Sequence, residues 1–139
     1  MESLHYLLMK SHSVMQRKIY SEAQKIGLTL GQPKILDYLY EHEGSDQKTI
    51  AGYCEIEPAT LGSILLRMEQ KGFIERRQKN GNRRSLFVYL TENGKEVCKK
   101  MHDVFSLKDE QAIEGLTAEE IENLKKTLTK ICENLDGKD

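Results

Sequence analysis

Five of the chain's six arginines fall between residues 61 and 90: Arg67, Arg76, Arg77, Arg83 and Arg84. Lys71 and Lys79 join them, against only Glu69 and Glu75. A guanidinium is a planar fork of donors that can meet two phosphate oxygens at once. A block of net charge +5 inside a chain of net charge −1 is therefore suited to a polyanion. The rival use of such a block is a plain solvated face.

No other constellation offers chemistry. There is no nucleophile elbow, no phosphate loop and no spaced carboxylate pair, so the chain is not expected to be an enzyme. Cys54, Cys98 and Cys132 are odd in number and widely spaced, which suggests neither a disulfide framework nor a zinc site. Lys95, Lys99 and Lys100 surround Cys98 in sequence and could lower its pKa, though a redox-sensing role is not the favoured reading. Cys54 falls on the inward face of the third helix and Cys132 beside the stripe of the last, where a buried cysteine is usually an inert small hydrophobe. His5, His12, His42 and His102 lack metal-binding spacing, so no metal or cofactor is expected. No apolar run approaches the roughly 18 residues of a membrane span. No signal peptide is visible after Met1, and the expected location is cytoplasmic.

The basic block needs elements to position it. Leu4, Leu8, Met15, Ile19, Ala23 and Ile26 recur at helical steps, which predicts a helix over 2–26 closed by Gly27. A second helix is expected near 31–42 and a third near 46–54, N-capped by Ser45-Asp46. Pro58 opens a fourth, over 58–71, with Leu61, Ile64, Leu65 and Met68 on one face. Its opposite face carries Ala59, Thr60, Ser63, Leu66 and Arg67, flanked by Gly62: small and polar, as a helix lying deep in a groove requires. The period then changes to two. Phe73 to Arg77 and Ser85 to Leu90 read as strands around an Asn80-Gly81 turn. Thr91 caps a fifth helix reaching about Glu114, and Thr117 with Glu120 forms a capping box for the last.

Helix, short link, helix and basic hairpin make a winged helix-turn-helix. The expected fold class is mainly α with a small β-hairpin wing. Its partner would be double-stranded DNA, whose phosphates Lys and Arg neutralise with counterion release. The fourth helix would read base edges through Thr60 and Ser63, with Ala59 and Gly62 allowing close approach and Arg67 beside them. Gln47 and Lys48 open the third helix towards phosphate. Arg76, Arg77 and Lys79 are phosphate candidates. Asn82, Arg83 and Arg84 form the wing tip, where Arg84 could enter a narrow minor groove.

Across nearly its whole length the sequence resembles the MarR family of bacterial transcription regulators. The resemblance is carried by Leu28-Thr29-x-x-Gln32, by Gln47-Lys48-x-Ile50-Ala51 and by Leu65-x-x-Met68-Glu69-x-Lys71-Gly72-Phe73-Ile74-Glu75-Arg76. It continues in Asn82-Arg83-Arg84 and Leu90-Thr91-Glu92-Asn93-Gly94. It implies dimerisation helices over 1–27 and 93–139 around a DNA-binding domain over 28–92. It also implies a homodimer on a pseudopalindromic site, commonly a repressor released by a small phenolic or lipophilic effector. Tyr6, Met9, His12, Met15 and Tyr38 are candidate lining for such a ligand, with ordinary core as the alternative. The sequence departs from the family at Asn82, where an acid is usual, and at Gly62 and Ser63, where threonine and arginine are common. Gly62 costs a helix about 1 kcal/mol against alanine. Close approach to DNA or to a packed neighbour would compensate. The competing function is a winged-helix scaffold that binds protein. Salt discriminates the two, because only phosphate binding weakens steeply as salt rises.

Overall fold

The computed structural model describes residues 1–79 and 81–137; for residues 82–84 it describes the backbone only. Packing divides the chain into two compact units, Met1–Lys108 and Asp109–Asp139.

The first unit opens with α1 (Leu4–Lys25), N-capped by Ser3, whose hydroxyl accepts the Tyr6 N–H at 3.2 Å. Gly27 ends it at φ +90, a conformation that favours glycine. The Leu28-Thr29-x-x-Gln32 motif then becomes a turn. Gln32 is fully buried, and its Oε1 accepts the Thr29 N–H at 3.0 Å. Helix α2 (Gln32–His42) carries Pro33 in its first turn, where a missing N–H costs little. Helix α3 (Gln47–Cys54) is N-capped by Asp46, whose carboxylate accepts the Thr49 N–H at 2.7 Å. Helix α4 (Pro58–Gln70) follows a link in which Glu55 adopts φ +54.

Strands β2 (Ile74–Lys79) and β3 (Asn82–Leu90) form the hairpin, with Ile74 opposite Leu90 and Arg76 opposite Val88. The second strand begins at Asn82, three residues before the β-former run that marked it in sequence. A two-residue strand, β1 (Ser45–Asp46), pairs antiparallel with Val88 and Phe87, giving the sheet order β1-β3-β2. Helix α5 (Glu92–Ala112) leaves the hairpin and runs past the unit boundary. The core gathers Leu36 and Leu39 of α2, Ile50 of α3, Leu65 and Met68 of α4, Val88 of β3 and Met101 of α5, all at 0% exposure. Each such side chain stabilises the fold by roughly 1.5–3 kcal/mol.

The second unit holds the end of α5 and helix α6 (Ala118–Asp136). The capping box is complete: Thr117 Oγ1 accepts the Glu120 N–H at 3.1 Å, and Glu120 Oε1 accepts the Thr117 N–H at 3.0 Å. No residue of α6 is buried, and Leu124, Leu128 and Leu135 stand exposed.

Candidate nucleic-acid interface

Helix α4 buries Leu61, Ile64, Leu65 and Met68. At about 100° per residue, Ala59, Ser63, Leu66 and Gln70 lie on the opposite crest, and all four are exposed. Thr60 and Arg67 stand one step around from that crest, also exposed. Ser63 Oγ donates to the Ala59 carbonyl at 3.5 Å, so its hydroxyl leans on its own helix. A Cβ added at Gly62 would meet no described atom within 4 Å. Of the two compensations expected for this glycine, a packed neighbour within the chain is therefore absent among the described residues.

Two of the wing arginines are committed internally. Arg76 forks onto Glu69, with Nη2 at 3.0 Å and Nε at 3.3 Å, and its Nη1 donates to Gln47 Oε1 at 3.3 Å. It thereby fastens β2 to α4 and α3. The Arg76 hydrogen bonds hold the Glu69 carboxyl below its ordinary range. Arg77 pairs with Glu75, and that hydrogen bond raises its pKa further. Its guanidinium also lies 4.2 Å from the centre of the Tyr89 ring, and Lys79 Nζ lies 5.0 Å from that of Phe87. Gln47 faces Arg76, while Lys48 is exposed. Asp46 occupies the N-terminus of α3, and the Thr49 N–H lowers the pKa of its carboxyl. Arg67 has no ion pair among the described residues. Asn80 and the side chains of Asn82, Arg83 and Arg84 lie outside the described residues, and with them the wing-tip contact expected of Arg84.

The motif after α4 is an anchor. Lys71 Nζ donates to the Gly27 carbonyl at 2.7 Å, closing the end of α1. Thr91 Oγ1 donates to the Gly72 carbonyl at 2.5 Å and accepts the Gly94 N–H at 2.9 Å, while the Thr91 N–H reaches the Phe73 carbonyl at 3.1 Å. A Cβ on Gly94 would fall onto that Phe73 carbonyl, so only glycine fits the close approach of α5 to the wing root. At the same end of the hairpin, Glu43 Oε1 accepts the Leu90 N–H at 2.9 Å.

A cleft of about 540 Å³ opens beside α4 within the first unit. Its walls include Ile19 and Tyr20 of α1, Lys34 of α2, Thr60, Ile64 and Arg67 of α4, and Phe105 of α5. None of the five residues suggested as ligand lining reaches it. Tyr6, Met9 and His12 are exposed along α1, and Met15 is half-buried. Tyr38 is buried against His42, ring centres 4.7 Å apart, with its hydroxyl 3.1 Å from Ser45 Oγ. The lining of this cleft was hard to find in sequence because it comes from five separate segments, none of which carries a ligand motif.

Burial governs two of the three cysteine thiols. Burial pushes the Cys98 thiol up to about 11, with Asp37 and Glu43 acting in the same direction. Its Sγ donates to the Leu36 carbonyl at 3.2 Å. The lysines adjacent in sequence do not lower it, because the thiol faces the core. Cys54 is likewise buried, and burial raises its thiol to about 11; Cys132 is exposed. Among the described residues no group of three His, Cys, Asp or Glu side chains could hold a metal ion, and no helix is long and apolar enough to cross a membrane.

A three-helix core with a helix-turn-helix, an exposed helix crest and a basic antiparallel hairpin defines a winged helix-turn-helix protein. The family model "MarR family" matches residues 28–86. The organic hydroperoxide resistance transcriptional regulator of Bacillus subtilis (strain 168) is 30% identical over 138 residues, covering 97% of this chain and 90% of that one. Among solved structures, the S. aureus MepR–DNA complex superposes with a TM-score of 0.87 at 24% identity, covering 96% of this chain and 99% of that one. NadR in complex with 4-hydroxyphenylacetate superposes at 0.82 with 21% identity, covering 96% and 94%. The chain belongs to the MarR family of DNA-binding transcriptional regulators.

Proposed function

We propose that this regulator is a repressor that acts as a homodimer on a pseudopalindromic operator and is released by a small lipophilic or phenolic effector. The observation that carries this reading is that α4 serves two surfaces. Thr60 and Arg67 flank its exposed crest and also wall the cleft. A ligand seated there touches two side chains that stand beside the groove-facing crest. The cleft suits such a ligand: its volume falls among small-molecule sites, Ile19, Ile64 and Phe105 offer apolar contact, and Lys34 and Arg67 offer charge to a carboxylate or phenolate. The NadR structure, which holds a phenolic acid, supports the ligand class. Dimerisation is supported by uncovered apolar side chains near both ends of the chain, Leu4 and Leu7 on α1 and Leu124, Leu128 and Leu135 on α6. Covering such surface stabilises an assembly by about 25 cal/mol per Å².

The test is anisotropy on duplexes selected from a random pool, over a salt series and with 4-hydroxyphenylacetate added. Binding should weaken steeply with salt, and the phenolic acid should release the DNA. Ile19→Trp, which fills the cleft, should bind DNA and ignore the acid. Salt-insensitive binding without an enriched motif would favour the protein-binding scaffold. A monomer in sedimentation at micromolar concentration would remove the homodimer.

A further inference from the structure

Leu66 is the large apolar residue on the crest of α4. It stands opposite the buried face at 45% exposure. Gln70, one turn further on at the end of the helix, carries the crest's one amide; from Leu66 towards the N-terminus there is little polar company. Ala59 carries only a methyl, Gly62 beside the crest carries nothing, and the Ser63 hydroxyl leans back on the Ala59 carbonyl. Thr60 and Arg67, the stronger hydrogen-bonding side chains of this helix, are turned towards the cleft. The centre of the reading helix therefore offers methyl and methylene surface, while Arg67 stands one step around from the crest and Lys48 and Lys79 are exposed on α3 and β2. That charge is complementary to phosphate.

In the major groove only thymine presents a methyl group, and apolar side chains meet it directly. We propose that Leu66 is a specificity-determining residue that reads a thymine C5 methyl at the centre of each half-site, with Ala59 extending the same apolar contact. The inference rests on the operator-binding reading above. It makes the half-site core a thymine-bearing step selected by methyl contact, and it leaves guanine without an arginine partner on the crest.

The experiment takes the duplex enriched by the wild-type protein from a random pool. Each thymine is replaced singly by deoxyuridine, which removes the methyl and leaves every hydrogen-bonding group in place. At one or more core positions the wild type should lose about fourfold in affinity per methyl. Leu66→Ala should bind the thymine duplex more weakly and lose the thymine–uracil difference at that position, and Leu66→Met should keep it. Leu66→Gln should move the preferred base there towards adenine, whose edge pairs with an amide. The side chain is exposed, so all three variants should fold, which circular dichroism verifies. A motif whose core thymines are insensitive to uracil, or a sensitivity unchanged in Leu66→Ala, would overturn the methyl reading and leave operator binding standing. Failure to enrich any motif would remove the operator reading itself. Unaltered DNA binding by Leu66→Ala together with a changed sedimentation coefficient would overturn the methyl reading and assign Leu66 to a contact between copies.

Discussion

Gly62→Ala should make this protein more stable and a poorer DNA binder. In a helix interior alanine is favoured over glycine by about 0.8–1.0 kcal/mol. That gain is usually offset where the new methyl meets a neighbour, and here none lies within 4 Å. The full propensity gain should therefore appear as a rise of roughly 2–6 °C in melting temperature. Melts should be run at one protein concentration, because an oligomer's midpoint depends on it. The penalty falls on the other partner. If the helix backbone approaches bases or sugars at Gly62, the added methyl must push the surfaces apart. Overpacking of that kind costs about 1–3 kcal/mol, or roughly 5- to 150-fold in Kd. Scanning calorimetry and anisotropy on the same preparation read both quantities. A raised melting temperature with unchanged Kd would refute close approach at this position. A lowered melting temperature would refute the open-space premise.

Gly94→Ala should act in the opposite sense, destabilising the fold by about 3 kcal/mol or more because the new methyl collides with the Phe73 carbonyl; urea denaturation measures it. Glu69→Gln should loosen the wing from α4 by about 1 kcal/mol or less, since both partners keep some solvent contact. A carboxyl pKa lowered on folding contributes stability above its ordinary value of 4.5, and that contribution is lost as pH falls through the lowered value. The difference in urea midpoint between wild type and Glu69→Gln should accordingly vanish in acid. Cys54 and Cys98, buried and raised to about 11, should resist iodoacetamide in the native protein at pH 8 and react after unfolding. Mass spectrometry of the alkylated peptides checks this, and rapid native labelling of either would contradict the burial.

The helices were legible in sequence because each carries its own period and its own stops. Thr117 and Glu120 cap one another in space as their spacing required, and Asp46 caps α3. What escaped was long-range. Strand β1 is two residues, too short to show a period, and exists because Ser45 and Asp46 meet Val88 and Phe87 across some forty residues of chain. The charge of the basic block was visible, but the partners of Arg76 were not: Glu69 lies on the preceding helix and Gln47 on the one before it. Cys98 shows the same gap. Its sequence neighbours are lysines, whereas its neighbours in space are the core, Asp37 and Glu43. The motif after Leu90 could be matched to the family by letter alone, and its meaning appears only when Thr91 and Gly94 are seen holding the backbone of residues 72 and 73.

That fastening ties the hairpin to the core by a second route. Helix α5 has 21 residues, a rod of about 30 Å at 1.5 Å per residue. Its first turn lies so close to the Phe73 carbonyl that Gly94 has no room for a side chain. One turn further on, Val97, Cys98 and Met101 are buried in the core. The wing root is thus clamped to the same stretch of helix whose Cys98 thiol meets the Leu36 carbonyl. The base of the hairpin therefore keeps its place on the core by contacts separate from the Arg76 fork.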